Sequence, residues 1–240
     1  MTRLDDPELV AREYADDARL RRRAAAFTGA GTGADAREPA LRALAAAAPR
    51  RVLEVGCGWG ELAVRIRDEV HAEVVAIDLS PRMVELARER GVDARVADVQ
   101  ALPFRDGEFD AAVAAWMLYH VPDIPRALGE LARVLQPGGL LVAITNSAFH
   151  LRELRELVDS GPSPSTFTRE NGAEVLAVAF AEVRRIDVDD EIAFASRRDV
   201  EDYVRASISM SPFVGNLPAA VDEPFRARRG VSVFAAKRAA

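Results

Sequence analysis

The sequence predicts an α/β fold: a doubly wound, mostly parallel sheet of seven strands with helical lid elements. Three observations carry that expectation. Short apolar runs alternate with helix-period segments from Arg51 to Thr145, the pattern of βαβ units with helices on both faces of a sheet. One of these runs, Val52-Leu53-Glu54-Val55, leads into glycines at alternate positions, Gly56, Gly58 and Gly60, and an amphipathic segment follows. Apolar residues make up 49% of the 240, enough to fill the core of one ordinary domain.

In chain order, Asp6–Phe27 reads as one or two charged helices and Thr28–Ala34 as a flexible connector. The connector's Gly29, Gly31 and Gly33 follow no strand, so they do not read as a nucleotide loop. Pro39–Ala48 is an alanine-rich helix. Strands are expected at Arg51–Val55, Glu73–Ile77, Ala94–Ala97, Phe109–Ala115 and Gly139–Thr145, with helices at Glu61–Val70, Pro81–Arg90 and Ile124–Leu135. Ser80-Pro81 supplies a capping hydroxyl and a proline at the first helical position. Gln136-Pro137-Gly138-Gly139 stops a helix and turns the chain into the next strand.

After Thr145 the alternation loosens. Leu151–Asp159 and Glu170–Phe180 read as helices around a Gly161–Ser165 loop, and Val183–Phe194 and Val231–Lys237 as the last two strands. An insertion, Ser196–Arg229, separates them and holds a helix around Asp199–Ser207. The expected division is an N-terminal helical lid and linker over residues 1–34, then a main domain over 35–240 with a cap insertion at about 196–229.

The charge balance, 32 basic against 38 acidic residues, gives a net −6, which speaks against a nucleic-acid partner. Arg19, Arg21, Arg22 and Arg23 read as a solvated helix face. The single cysteine, Cys57, excludes an internal disulfide and any multi-cysteine metal site. His71, His120 and His150 are too scattered for a metal cluster, so no metal is expected. No run approaches the roughly 20 apolar residues of a membrane span, and the N-terminus has no apolar signal core. A cytoplasmic protein without membrane contact follows.

The glycine turn suggests a ligand carrying an adenosine. A nicotinamide-type turn, Gly-x-Gly-x-x-Gly, would need glycine where Glu61 stands. Asp78 closes the second strand, where an acid can accept a ribose diol, but that position serves either class of adenosine cofactor. The remaining motifs are Asp78-Leu79-Ser80-Pro81-Arg82-Met83, Ala97-Asp98-Val99-Gln100-Ala101-Leu102-Pro103-Phe104, Phe109-Asp110 through Trp116-Met117-Leu118-Tyr119-His120, and Leu135-Gln136-Pro137-Gly138-Gly139.

In this order and spacing the motifs resemble the class I S-adenosylmethionine-dependent methyltransferases, in their small-molecule, ubiquinone-biosynthesis-like type 11 group. The resemblance spans roughly Arg51 to Thr145. It implies a Rossmann-like fold with S-adenosylmethionine as cofactor. It also implies that Gly56, Cys57, Gly58 and Gly60 surround the methionine part, with Glu54 near its ammonium. Asp78 would take the ribose hydroxyls, and Leu79 and Met83 would pack on the adenine. Asp98 would accept the adenine amine, with the Val99 amide on a ring nitrogen. Ala115 and Trp116 would contact the cofactor, while Trp116 and Met117 read equally as core or as cofactor wall.

His120 lies at the substrate side, as general base or as a structural, cofactor-contacting residue. Tyr14 resembles a tyrosine that folds over the cofactor, and reads equally as a packing aromatic. The expected reaction moves the methyl to an oxygen, nitrogen or carbon nucleophile of a small metabolite or natural-product intermediate. Ala115-Trp116-Met117-Leu118 stands where nucleic-acid amine methylation would use Asn/Asp-Pro-Pro-Tyr/Phe, and no cysteine serves base-carbon attack. Two rivals are an NAD-dependent oxidoreductase and a non-catalytic S-adenosylmethionine-binding module.

Overall fold

The computed structural model describes residues 4–28 and 34–239; most of the expected linker, with Gly29, Gly31 and Gly33, lies outside them. Two short helices open the described chain, α1 (Pro7–Glu13) and α2 (Ala18–Thr28), followed by α3 (Arg37–Ala47). Then come β1 (Arg51–Val55), α4 (Glu61–Arg65), β2 (Glu73–Asp78), α5 (Pro81–Glu89), β3 (Asp93–Val96), β4 (Phe109–Ala115), α6 (Ile124–Val134) and β5 (Leu135–Asn146). The chain closes with α7 (Arg152–Leu157), α8 (Gly172–Leu176), β6 (Ala181–Phe194), α9 (Arg197–Ala206) and β7 (Phe225–Lys237).

The seven strands form one sheet in the order β3-β2-β1-β4-β5-β7-β6. Strands β1 to β5 are parallel, and β7 runs antiparallel between β5 and β6. The order reverses between β1 and β4, so a crevice opens at their carboxyl ends, where doubly wound sheets bind ligands. Both sheet faces are covered, which explains why β4 is apolar on successive residues rather than alternating. Ala112 and Ala114 join one core with Leu128 and Leu131 of α6, while Ala111 and Val113 join the opposite core with Leu41 and Leu44 of α3. The buried residues of α6, Ile124, Ala127, Leu128, Leu131 and Val134, fall on one stripe of a 3.6-residue period.

Three differences from the expected elements have physical reasons. The helix after the glycine turn widens into a π-turn over Ile66–Val70 and stops at His71, whose φ is +60°. Leu135 already pairs with Phe109, and Gln136–Gly139 then bulge opposite Asp110 before Leu140 meets Ala111. A side chain at Gly139 would lie 2.8 Å from the Gln136 carbonyl oxygen, so the close approach requires glycine.

The third difference is the start of β7. Residues Phe225–Gly230 belong to the strand rather than the insertion, pairing with Phe194–Asp189. Phe225 and Ala227 face the cap core while Arg226 and Arg228 face out, tied to Glu191 at 2.5 Å and Glu153 at 2.6 Å. These outward arginines disguised the strand as a charged loop. Because β5 stops pairing at Asn146–Val231, the rest of the β6–β7 ribbon projects past the sheet. Leu154, Val158, Ile192, Phe194, Val200 and Val204 pack there as a separate core that includes α7 and α9.

Among the described residues no helix is long and apolar enough to cross a membrane, and no group of three or more His, Cys, Asp or Glu side chains could hold a metal ion.

Candidate functional site

Parallel strands point their carboxyl ends the same way, and that alone gathers the motifs. β1 ends at the glycine turn, β2 at Asp78, and β4 at Trp116. The turn is tightened by the Gly60 amide donating to the Cys57 carbonyl at 2.9 Å, and it is held to β2 by the Cys57 amide on the Ile77 carbonyl at 3.0 Å. Gly60 sits at φ +80°, and a Cβ there would lie 3.1 Å from the Ala87 Cα. Only glycine lets α4 start this close to α5.

Asp78 connects the two turns. Its Oδ2 accepts from the Gly58 amide and its Oδ1 from the Ser80 amide, both at 2.9 Å. Each oxygen keeps a further lone-pair direction, so the carboxylate can still accept a vicinal diol. Burial raises its pKa, against the amides of Ser80, Gly58 and Leu79, which favour the charged form.

Glu54 is 2% exposed, and its Oε2 is buried without a hydrogen-bond partner. Burial first, and the negative charge of Asp78 second, push its pKa up to about 8 against a backbone hydrogen bond from Ala63. No cation among the described residues offsets either acid. The pair therefore waits for positive charge. Cys57 is 7% exposed and its thiol is pushed up by burial and by both acids, which makes it inert.

Asp98 follows β3 and is partly buried. Its Oδ1 accepts the Gln100 amide at 2.8 Å, and the Gln100 side-chain nitrogen lies 3.1 and 3.0 Å from its two oxygens. Asp98 thus already holds the side-chain amide nitrogen of Gln100. Leu79 is 53% exposed, an apolar face at the crevice, whereas Val99 is 6% exposed and Met83 fully buried.

At the end of β4, Trp116 adopts φ +54°, a strained backbone for a bulky residue. The Trp116 amide donates to the Ile144 carbonyl at 2.8 Å, and its indole to Asn146 Oδ1 at 3.1 Å. Neighbouring Ala115 is partly buried. Met117 presses against Gly56, where a Cβ would sit 2.7 Å from the Met117 Cβ.

A short 3-10 turn, Leu118–His120, then places His120 beneath the N-terminal segment. His120 Nδ1 is 2.8 Å from the Leu4 carbonyl oxygen, which can only accept, so the proton sits on Nδ1. Its Nε2, 3.0 Å from the Tyr14 hydroxyl, accepts that proton donor. Burial, with the positive charge of Arg23, lowers the His120 pKa to about 4, so the ring is neutral at pH 7. The Tyr14 hydroxyl, raised to about 12 chiefly by burial, stays protonated. Ser80 Oγ donates to the Tyr14 carbonyl at 2.6 Å, tying the segment to the β2 turn as well.

Among the four arginines expected on a solvated face, Arg21 and Arg22 are exposed, whereas Arg19 and Arg23 clasp Glu13. Glu13 is 2% exposed and accepts from Arg19 at 2.7 Å and from Arg23. Arg23 also donates to the Ala206 carbonyl at 2.7 Å and Arg19 to the Arg205 carbonyl at 3.1 Å. The C-terminal carbonyls of α9, unpaired within the helix, thus take two arginines. Arg21 lies 5.4 Å from the centre of the Trp59 ring. Sequence spacing gave no sign of this clasp, because Glu13 and its arginines stand on two different helices. Ser80's second role and the Gln100 contact were equally hidden.

Residues 53–143 match the family described as "Methyltransferase domain". The chain is 44% identical over 104 residues to a demethylmenaquinone methyltransferase of Thermus thermophilus, covering 40% of this chain and 47% of that protein. It is 43% identical over 102 residues to a ubiquinone biosynthesis O-methyltransferase of Xanthomonas oryzae pv. oryzae, covering 40% and 42%. The chain thus spans about half the length of the curated relatives it matches. Among solved structures, the [4+2]-cyclase SpnF overlays with a TM-score of 0.62 at 24% identity, over 96% of this chain and 95% of that one. That likeness establishes a shared fold and leaves the chemistry to the site.

Proposed function

We propose that this chain, a member of the class I S-adenosylmethionine-dependent methyltransferase family, transfers a methyl group from that cofactor to an oxygen, nitrogen or carbon nucleophile of a small molecule. Glu54 carries the reading: a buried carboxyl with an unpartnered oxygen, beside a second buried acid and, among the described residues, no offsetting cation. That cradle fits a ligand with an ammonium at one end and a ribose diol further along. The donor set fits the cofactor at Glu54 and Asp78, while Asp98 already holds Gln100.

Bound S-adenosylmethionine supplies an electrophilic methyl on a sulfonium. The protein's own work is positioning and exclusion of water. The glycine turn and Met117 form the floor. Tyr14, held by His120 and Ser80, covers the crevice from the N-terminal side. The relatives named for quinone biosynthesis make a phenolic or quinoid acceptor the first to try. Incubation with methyl-labelled cofactor and a panel of such acceptors tests the proposal. Label appearing in a small product supports it. A cofactor that binds while no acceptor becomes labelled favours the non-catalytic reading.

His120 is proposed as a positioning residue, because its Nε2 is already taken by Tyr14. His120→Ala is expected to raise the KM for S-adenosylmethionine roughly fivefold, the worth of one neutral hydrogen bond. kcat should change little, and its pH profile should stay flat from pH 5 to 8, above the His120 pKa of about 4. A hundredfold loss of kcat with cofactor binding intact would instead assign the general base.

A further inference from the structure

Arg155 stands in the last turn of α7, inside the cap. Its Nη2 donates to Ser209 Oγ at 2.7 Å, while Nε and Nη1 are buried with no hydrogen-bond partner. No carboxylate pairs with it among the described residues. The neighbouring cations differ. Arg229 has Asp190 at 3.5 Å, Arg169 has Asp189 at 2.6 Å, and Arg23 has Glu13. At the backbone of Arg155, the Ser160 amide donates to the Arg155 carbonyl at 3.1 Å.

Guanidinium N–H groups buried without a partner or a counter-charge destabilise the fold. A native chain keeps such a defect where function requires it. Among the described residues, two titratable groups whose charge Arg155 influences, His150 and Tyr203, are neutral. His150 is neutral, its pKa lowered to about 3 by burial and by Arg229, Arg155 and Arg169. Burial likewise keeps Tyr203 protonated, raised to about 12.

The position joins the methyl-transfer side. Ser209, which Arg155 binds, follows α9, and the last carbonyls of α9, on Arg205 and Ala206, take Arg19 and Arg23, which both hold Glu13 next to Tyr14. A chain of direct contacts therefore joins Arg155 to the lid segment that carries Tyr14.

We propose that the cap holds a subsite for an anionic group of the methyl acceptor, a carboxylate or a phosphate, centred on the Arg155 guanidinium. This rests on the methyl-transfer reading and narrows its acceptors to small acids. The oxyanion would satisfy the orphaned N–H groups and supply the missing negative charge. Its far end would reach toward Tyr14 and the crevice, where the nucleophile belongs.

The test is thermal unfolding of the whole chain, saturated with S-adenosylhomocysteine, titrated with inorganic phosphate and separately with acetate at constant ionic strength against chloride. The wild type is expected to gain stability with one oxyanion beyond the chloride control, and which one names the group. In Arg155→Met the half-saturating concentration should rise at least ~10-fold, as for a lost charge-assisted hydrogen bond, while S-adenosylhomocysteine binds as in the wild type. Without oxyanion this variant should be as stable as the wild type or more so, because an unpaired buried charge has been removed. Arg155→Lys, which keeps the charge, should retain a weakened response and serves if the methionine variant does not fold. An equal oxyanion response in wild type and variants, or none in the wild type with either anion, overturns the subsite. If S-adenosylhomocysteine does not bind the wild type, the methyl-transfer reading falls, and the same titrations in its absence still report on Arg155.

Discussion

Asp78→Ala is expected to weaken S-adenosylhomocysteine binding by about 1.5–3 kcal/mol, tenfold to more than a hundredfold, the worth of hydrogen bonds to a charged group. Two losses combine. The ribose diol loses its acceptor, and the amides of Gly58 and Ser80 lose the carboxylate that holds the β1 and β2 turns in register. The ligand-free protein should suffer much less. Burial already raises the Asp78 pKa, so its charge is costly in the empty site, and removing it offsets part of the lost hydrogen bonding. The signature is a large loss in titration calorimetry with a small change in unfolding midpoint. Unchanged affinity would remove Asp78 from the cofactor site.

The second large effect concerns Glu54. Its pKa is pushed from 4.5 to about 8 in the folded chain. An acid whose folded pKa lies above its unfolded value keeps its proton in the native state while the unfolded state has lost it. Stability therefore falls as pH rises from about 4.5 to about 8. At about 1.36 kcal/mol per pH unit, the buried charge costs roughly 4–5 kcal/mol above that window. Glu54→Gln should remove this slope, so the ligand-free variant should exceed the wild type in urea unfolding at pH 8.5 and match it near pH 4.5. Cofactor binding should respond in the opposite sense. In the wild type, affinity for S-adenosylmethionine should rise with pH toward 8 as the ammonium draws Glu54 into its charged form, and in Glu54→Gln that dependence should flatten. Equal pH slopes in both proteins would show that Glu54 does not meet the cofactor's positive charge.

Much of this was legible in the sequence, and the rest was hidden for definite reasons. The sheet from β1 to β5 was readable because each element changes hydrophobic period at its boundary and Ser80-Pro81 and the glycine turn mark local geometry. The same locality made Glu54, Asp78 and Asp98 candidates, since each stands within three residues of a strand end. The start of β7 was missed because its outward positions carry arginine, which masks the inward Phe225 and Ala227. The Glu13–Arg23 clasp was missed because helix faces depend on what packs against them, and α9 lies far along the chain. Arg155 was invisible for the same reason: an arginine on a short amphipathic helix reads as solvated until a ribbon and a second helix close over it.

The central claim is that the crevice between β1 and β4 holds S-adenosylmethionine. Titration calorimetry with S-adenosylhomocysteine, and with NAD under the same conditions, tests it most directly. The structure predicts binding of S-adenosylhomocysteine well below millimolar and no measurable heat with NAD. Binding of NAD, or no S-adenosylhomocysteine binding below about millimolar, would contradict it.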